Sequence, residues 1–338
     1  MADPATAPSK WRENLPTLLI LAALAATPAI AVAIDDPFIV KVATRVVVFA
    51  IAASALNFIV GYGGLVSLCH AAFFGIGGYV VGILAWHDFN GEPLWFLPGA
   101  SNLAVSLPLA ILVSCVIAAI VGAISLRTSG PYFLMITLAF NQMFYYGAVA
   151  LQKYGGDDGL QIFSTMTLGP LDLSNRYRFF YFALFVLALT LVLLGRFVDS
   201  RFGMVLRAAS KNETRVIAIG VDPWAYRLVA FVISAALAAT AGALLAAGQQ
   251  FISPVDMGWE RSGDLVVMAV LGGVGAVWGP ALGAAAFVVL ELVLASWTTH
   301  WQLAFGLFIV VVVVSLRGGL ADLGALVFSR KGERGTHG

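Results

Sequence analysis

Six polar side chains stand inside long apolar runs: Asn57, Ser67, His70, Thr137, Asn141 and Glu291. None belongs to a set that could make or break a covalent bond. What they can do is donate and accept hydrogen bonds where water is scarce. Ser67 and His70 are three apart and Gly63 lies four before Ser67, so a helix through them carries a small, polar stripe. Gln142 follows Asn141, and adjacent residues cannot share a helix face, so at most one of the two points inward. Glu291 is the one carboxylate deep in such a run, and an ionised group there needs protein, water or a partner around it. Glycines cluster nearby, Gly75 and Gly77 in one run and Gly272, Gly273 and Gly275 in another. Weakly polar side chains beside backbone freed at helix breaks suit a path for a polar solute through an apolar medium. The same residues suit close, hydrogen-bonded packing between helices equally well.

The chemistry that is missing narrows the function. No G-x-x-x-x-G-K-[ST] loop occurs, so the chain has no ATP site of that kind. Neither glycine cluster reads G-x-G-x-x-G. His70, His87, His300 and His337 form no H-x-x-H or H-E-x-x-H pair, so no metal site is expected. No nucleophile and base can be placed on facing positions, so no enzyme activity and no cofactor are expected. Cys69 and Cys115 both lie in apolar runs and supply no disulfide framework.

The elements that must carry these residues are membrane helices. Of 338 residues, 60% are apolar and 11% charged, and the formal net charge is +1. An ordinary soluble domain carries about 25% charged residues. This composition excludes a soluble globular enzyme, a disordered chain and a nucleic-acid binder. The apolar runs mark ten segments, at about 15–34, 38–60, 64–86, 103–126, 132–151, 178–197, 226–247, 265–277, 281–297 and 301–316. The eighth is too short to span cleanly. The expected fold class is therefore an all-α integral membrane protein with Gly-broken helices. It has a transmembrane domain at 15–317 between short tails at 1–14 and 318–338.

Lys and Arg concentrate in cytoplasmic loops. With the N-terminus inside, the inside loops receive Arg127, the mixed stretch from Arg196 to Arg227 and a basic tail with Arg317, Arg330, Lys331 and Arg334. The outside loops, 87–102, 152–177 and 248–263, are richer in carboxylates. Both termini are then cytoplasmic. Lys41 and Arg45 depart from this pattern; four apart on one helix face, they are expected to snorkel toward the interface and toward Asp35 or Asp36, with a functional role as the alternative. In the sizeable inside stretch, 199–223, Arg207, Lys211 and Arg215 recur every four residues, which predicts a short helix with one basic face. Such a helix suits a groove in a partner or an anionic lipid surface. Ser200 and Asp222-Pro223 mark its ends.

The two glycine-interrupted runs, Gly64 to Ile83 and Leu265 to Gly283, echo each other in the two halves of the chain. Corresponding broken segments point to an inverted repeat and to a transport pathway between the halves.

Five blocks then carry a resemblance. Gly61-Tyr62-Gly63-Gly64-Leu65-Val66-Ser67-Leu68-Cys69-His70-Ala71-Ala72-Phe73-Phe74-Gly75-Ile76-Gly77-Gly78-Tyr79 resembles the signature of permeases in branched-chain amino acid ABC importers, with Cys69 and Gly78 in place of other small residues. Arg127 to Phe133 with Thr137-Leu138, Gly155-Gly156-Asp157-Asp158-Gly159-Leu160, Ser200 to Val221, and Ser253 to Pro280 follow in the family's order. The Gly-Gly-Asp-Asp-Gly loop resembles LivM-like rather than LivH-like subunits. The resemblance covers about 45–317. It implies a multi-pass permease of the cytoplasmic (inner) membrane, working with a second, LivH-like permease, two ABC ATPase subunits and an extracytoplasmic solute-binding protein. It also implies a role in ATPase coupling for Arg207, Lys211, Glu213, Arg215 and Gly220. Here the chain departs from the shared E-A-A-x-x-x-G pattern, because Glu213 precedes Gly220 by seven positions rather than six. The cargo expected is branched-chain or other hydrophobic amino acids, with urea or short amides as the alternative. A stand-alone secondary transporter would have only Glu291 as its coupling-ion carboxylate.

Overall fold

A computed structural model describes residues 10–93, 99–164, 166–169, 171–297, 299–315 and 319–320. Residues 1–9, Pro98, Pro170 and the basic tail with Arg317, Arg330, Lys331 and Arg334 lie outside the described residues, and so do most of both expected tails. Every apolar run becomes a helix: α1 (Lys10–Ile34), α2 (Phe38–Asn57), α3 (His70–Asn90), α4 (Leu103–Ser125), α5 (Pro131–Val149) and α6 (Arg176–Asp199). Two short helices follow, α7 (Arg201–Lys211) and α8 (Glu213–Ala218), and then α9 (Pro223–Gln249), α10 (Trp259–Gly272), α11 (Gly279–Trp297) and α12 (Trp301–Ser315). The protein is an all-α, multi-pass integral membrane protein.

The expected count of ten spans needs refinement. Among the described residues, seven helices are long and apolar enough to cross a membrane, or eight if α5 and the turns bent away from it count as one. The 14 residues of α10 rise only about 21 Å, less than the roughly 30 Å of hydrocarbon. It is a partial span, followed by irregular backbone at 273–278, as the glycine breaks suggested.

The core forms around α2, which is buried along nearly its whole length from Val46 onward. Its Val and Ala side chains let α6, α9, α10 and α11 approach from several sides. Backbones meet most closely between α3 and α9. A Cβ on Gly77 would drive into the carbonyl of Ala239, and one on Gly242 into the carbonyl of Phe74. This is small-residue packing between membrane helices, with each helix supplying a glycine for its partner.

Packing also follows the internal echo. Helix α4 lies on α9 while α11 lies on α2, and α3–α4 and α10–α11 pack as consecutive pairs. Helices α2 and α9 run antiparallel: Ala55 meets Ser234, and Lys41 and Arg45 share a cavity with Leu244 to Gln250. An inverted repeat of α2–α4 and α9–α11 has this arrangement. At one end of the molecule, Leu160–Gln161 pairs antiparallel with Phe251–Ile252, and His87 reaches Tyr154. The three loops assigned to one side by charge are thus gathered there.

Candidate functional site

Helix α2 does not end cleanly. Residues 58–63 form a π-helical turn, Gly64 adopts a left-handed conformation (φ 67°), and the chain stays irregular to Cys69 before α3 begins. Backbone groups released inside the protein require partners. The polar side chains singled out by the sequence supply them. Thr137 accepts from the Leu68 N–H (3.3 Å), Ser67 from the Cys69 N–H (3.3 Å) and Asn141 from the Ala72 N–H (3.0 Å). The Asn141 amide also donates to the Met257 carbonyl (2.8 Å). Ser262, on α10, accepts from the Ala71 N–H (3.0 Å) and donates to the Leu68 carbonyl (2.7 Å). His70 and Ser234 are joined through Nε2 (2.7 Å), and the Ser234 hydroxyl donates to the Ala55 carbonyl. With its only proton so committed, Ser234 can serve His70 only as acceptor, so His70 carries its proton on Nε2.

The second break, 273–278, is held by the first. Asn57 donates to the Ala276 carbonyl (2.9 Å) and accepts from the Gly275 N–H (3.2 Å), while the Tyr62 hydroxyl donates to the Gly275 carbonyl (2.5 Å). Gly272 closes α10 with its backbone against that of Gly279. Gly273 follows at φ 117°, ψ 110°, a conformation that a side chain would strain. The structure therefore brings Ser67, His70, Thr137 and Asn141 together around the start of α3, and Asn57 with Gly272 and Gly273 around the second break. The five polar side chains among them are fully or almost fully buried; four brace backbone directly, His70 bonds the Ser234 hydroxyl, and none of them lines the large cavity.

Glu291 lies apart from both breaks. It accepts two hydrogen bonds from one guanidinium nitrogen of Arg45 (2.9 and 3.0 Å), which supplies the partner its depth demanded. Arg45 does not reach Asp35 or Asp36 as expected. Asp36 is occupied capping the N-terminus of α2, accepting from the Phe38 N–H (2.9 Å). Arg261 pairs with Asp256 (3.2 Å) and Asp264 (3.3 Å), and both Arg45 and Arg261 sit over the ring of Phe49. This cluster borders a cavity of about 680 Å³ between α2, the start of α6 and the end of α9. Lys41, Arg45, Arg176, Asp256 and Arg261 line it together with Phe49, Leu244, Leu245 and Phe251.

At the opposite end, the stretch 199–223 corrects the sequence reading. Arg207 and Lys211 share α7, but the helix stops at Asn212 (φ −156°, ψ 97°), so Arg215 belongs to a separate helix. Asn212 caps α8 by accepting from the Arg215 N–H (3.1 Å), which wins over the four-residue repeat. Ser200 caps the start of α7 as expected, whereas Asp222, expected to end the basic helix, caps the start of α9 instead. Glu213 pairs with Arg227 (2.8 Å), which also donates to the Ala209 carbonyl (3.2 Å), tying the hairpin to α9. Gly220, at φ 83°, ends α8 in a Schellman turn, with its N–H on Ile217 and that of Val221 on Val216. Met204, Ile217 and Ile219 are exposed here, Ile219 by 76%, beside Lys211 and Arg215. Leu206 and Ser210 of α7 stand against Gly63 and Gly64, at the π turn.

The family described as "Branched-chain amino acid transport system / permease component" matches residues 38–314, most of the chain. The chain belongs to that family. The LivM permease proteins of the high-affinity branched-chain amino acid transport systems of Salmonella typhimurium and Escherichia coli are similar to it. The first is 29% identical over 321 residues (86% of this chain, 73% of the relative), the second 28% over 308 residues (84% and 70%). The xylose transport system permease protein XylH of Haemophilus influenzae is 30% identical over 151 residues, 42% of this chain and 40% of its own length. No solved structure matches the chain.

This LivM-like permease is a transport component and not an enzyme. Four participants escaped the sequence reading: Tyr62, Ser234, Ser262 and the Arg261 cluster. Ser234 carries the signal that flagged Ser67, a hydroxyl in an apolar run; Ser262 stands just ahead of one.

Proposed function

We propose that this permease is one of two related membrane subunits of an ATP-driven ABC importer carrying branched-chain or other hydrophobic amino acids across the cytoplasmic membrane. Both termini are cytoplasmic in this reading. The partners are a LivH-like permease, two ATPase subunits and an extracytoplasmic solute-binding protein, with lipid around the apolar helices. The observation that carries it is the α7–α8 hairpin. Exposed Met204, Ile217 and Ile219 beside basic residues form a surface outside the membrane-length helices that suits a protein groove. The hairpin abuts the π turn, and the π turn grips the 273–278 loop. A push from an ATPase on α7 therefore has a packed route to both helix breaks.

The test is Arg207→Glu combined with Arg215→Glu. Charge reversal at a docking surface costs several kcal/mol, so ATP-driven uptake should fall at least about tenfold while membrane insertion is unchanged. Normal uptake by the double variant rejects the hairpin as the ATPase contact.

A further inference from the structure

We infer that the 680 Å³ cavity beside α2 is a binding station for a zwitterionic α-amino acid with an apolar side chain. The inference rests on the importer reading above and names the site at which the solute is received. The volume falls in the range of small-molecule pockets, about 300–1,000 Å³. Its walls carry four cations and one carboxylate, in two groups, or poles, told apart by their pairing. At one, Lys41 and Arg176 line the cavity, and among the described residues no ion pair neutralises either. At the other, Arg45 and Arg261 are bound to Glu291, Asp256 and Asp264, so two cations face three carboxylates. That pole retains one negative charge in excess, and Asp256 carries it to the cavity wall.

A solute carboxylate fits the first pole and its ammonium the second. The side chain then meets Phe49, Leu244 and Phe251. A phosphate or lipid headgroup would meet the unpaired cations and leave the carboxylate excess around Arg45 and Arg261 without an ammonium. The arrangement is also held in place. Both arginines rest on the Phe49 ring, 5.5 and 5.2 Å from its centre, so the carboxylates they orient cannot drift apart. The cavity lies at the end of the molecule opposite the α7–α8 hairpin, where a solute from outside would arrive.

The experiment measures binding of radiolabelled leucine to the full chain in phosphatidylcholine nanodiscs. Competitors are leucinol, which lacks the carboxylate, 4-methylpentanoate, which lacks the ammonium, inorganic phosphate and phosphatidylglycerol. Each lost charged contact should weaken competition at least about tenfold relative to unlabelled leucine. Lys41→Gln with Arg176→Gln should remove the advantage of leucine over leucinol and leave leucinol binding unchanged. Equal competition by leucine and leucinol in the wild type overturns the proposal, as does displacement of leucine by phosphate or phosphatidylglycerol. So does wild-type leucine binding by the double variant. ATP-dependent leucine uptake by the assembled transporter separates the two readings. Uptake without leucine binding here rejects the cavity alone, whereas binding without any ATP-dependent uptake supports the cavity and rejects the importer.

Discussion

Replacing Asn57 with leucine asks whether the polar residues of the spans serve the fold or the solute. Leucine has the same four-atom branched side chain as asparagine, though bulkier, and offers no polar atom. Two backbone groups would lose their partner, the Ala276 carbonyl at 2.9 Å and the Gly275 N–H at 3.2 Å. Both belong to an irregular loop that cannot pair them internally. A buried group left unpaired costs about 1–3 kcal/mol. Gly275 is exposed and Ala276 half-buried, so water reaches part of the gap and the lower end applies. Interhelical hydrogen bonds in membranes, about 0.6–2 kcal/mol each, point the same way. The sum is roughly 2–3 kcal/mol, which should lower melting of the detergent-purified chain by about 5 °C. Tyr62→Phe, which removes one donor, should cost about half as much. Uptake should fall in parallel with the folded fraction. An Asn57→Leu chain that melts like wild type yet loses uptake would refute the reasoning, because its amide would then serve the solute.

Three further outcomes follow from the same structure. Arg45→Leu or Glu291→Leu alone strands a half-buried charge and should cost about 2 kcal/mol, while the double replacement costs less than either; additive effects in chemical denaturation would deny the pairing. Gly77→Ala forces α3 from α9 and should cost about 3 kcal/mol in detergent melting, whereas Gly263→Ala, with open space around its Cβ, should be neutral or stabilising. On a cysteine-free background, Asp158→Cys should label from outside intact cells and Glu213→Cys should not; the reverse pattern inverts the orientation.

Local features were legible in the sequence and long-range partners were not. Each apolar run became a helix, and Ser200 became a cap, because capping and periodicity act within a few residues. Gly64 and the 272–275 cluster did mark irregular backbone, at 64–69 and 273–278, whereas Gly75 and Gly77 lie inside regular α3 and pack it against Met257 and α9. What the braces hold could not be read, because Asn57 and Ala276 are 219 positions apart and no local pattern links them. Glu291 announced a need for a partner, but not that Arg45 would meet it. At Asn212 the signal was present, a capping residue followed by an acid, and the basic repeat across it was the weaker cue. The cavity is invisible in sequence, since its lining comes from α2, α6 and α9 together.

The π-helical turn at 58–63 carries a consequence for which changes the chain can tolerate. In a regular α-helix, residues five apart stand about 140° from each other around the axis. Asn57 and Tyr62 are five apart, yet both grip the same two-residue stretch, because the wider turn brings position i+5 back over position i. Their shared aim depends on the number of residues in the turn more than on what those residues are. Inserting one residue between them would place Tyr62 six after Asn57, about 120° round the axis, and release the Gly275 carbonyl, whatever side chains remained. Among relatives of this permease, an inserted residue in the turn is therefore closed, and so is a side chain at Gly61, whose Cβ would meet the Gly275 backbone at 2.7 Å.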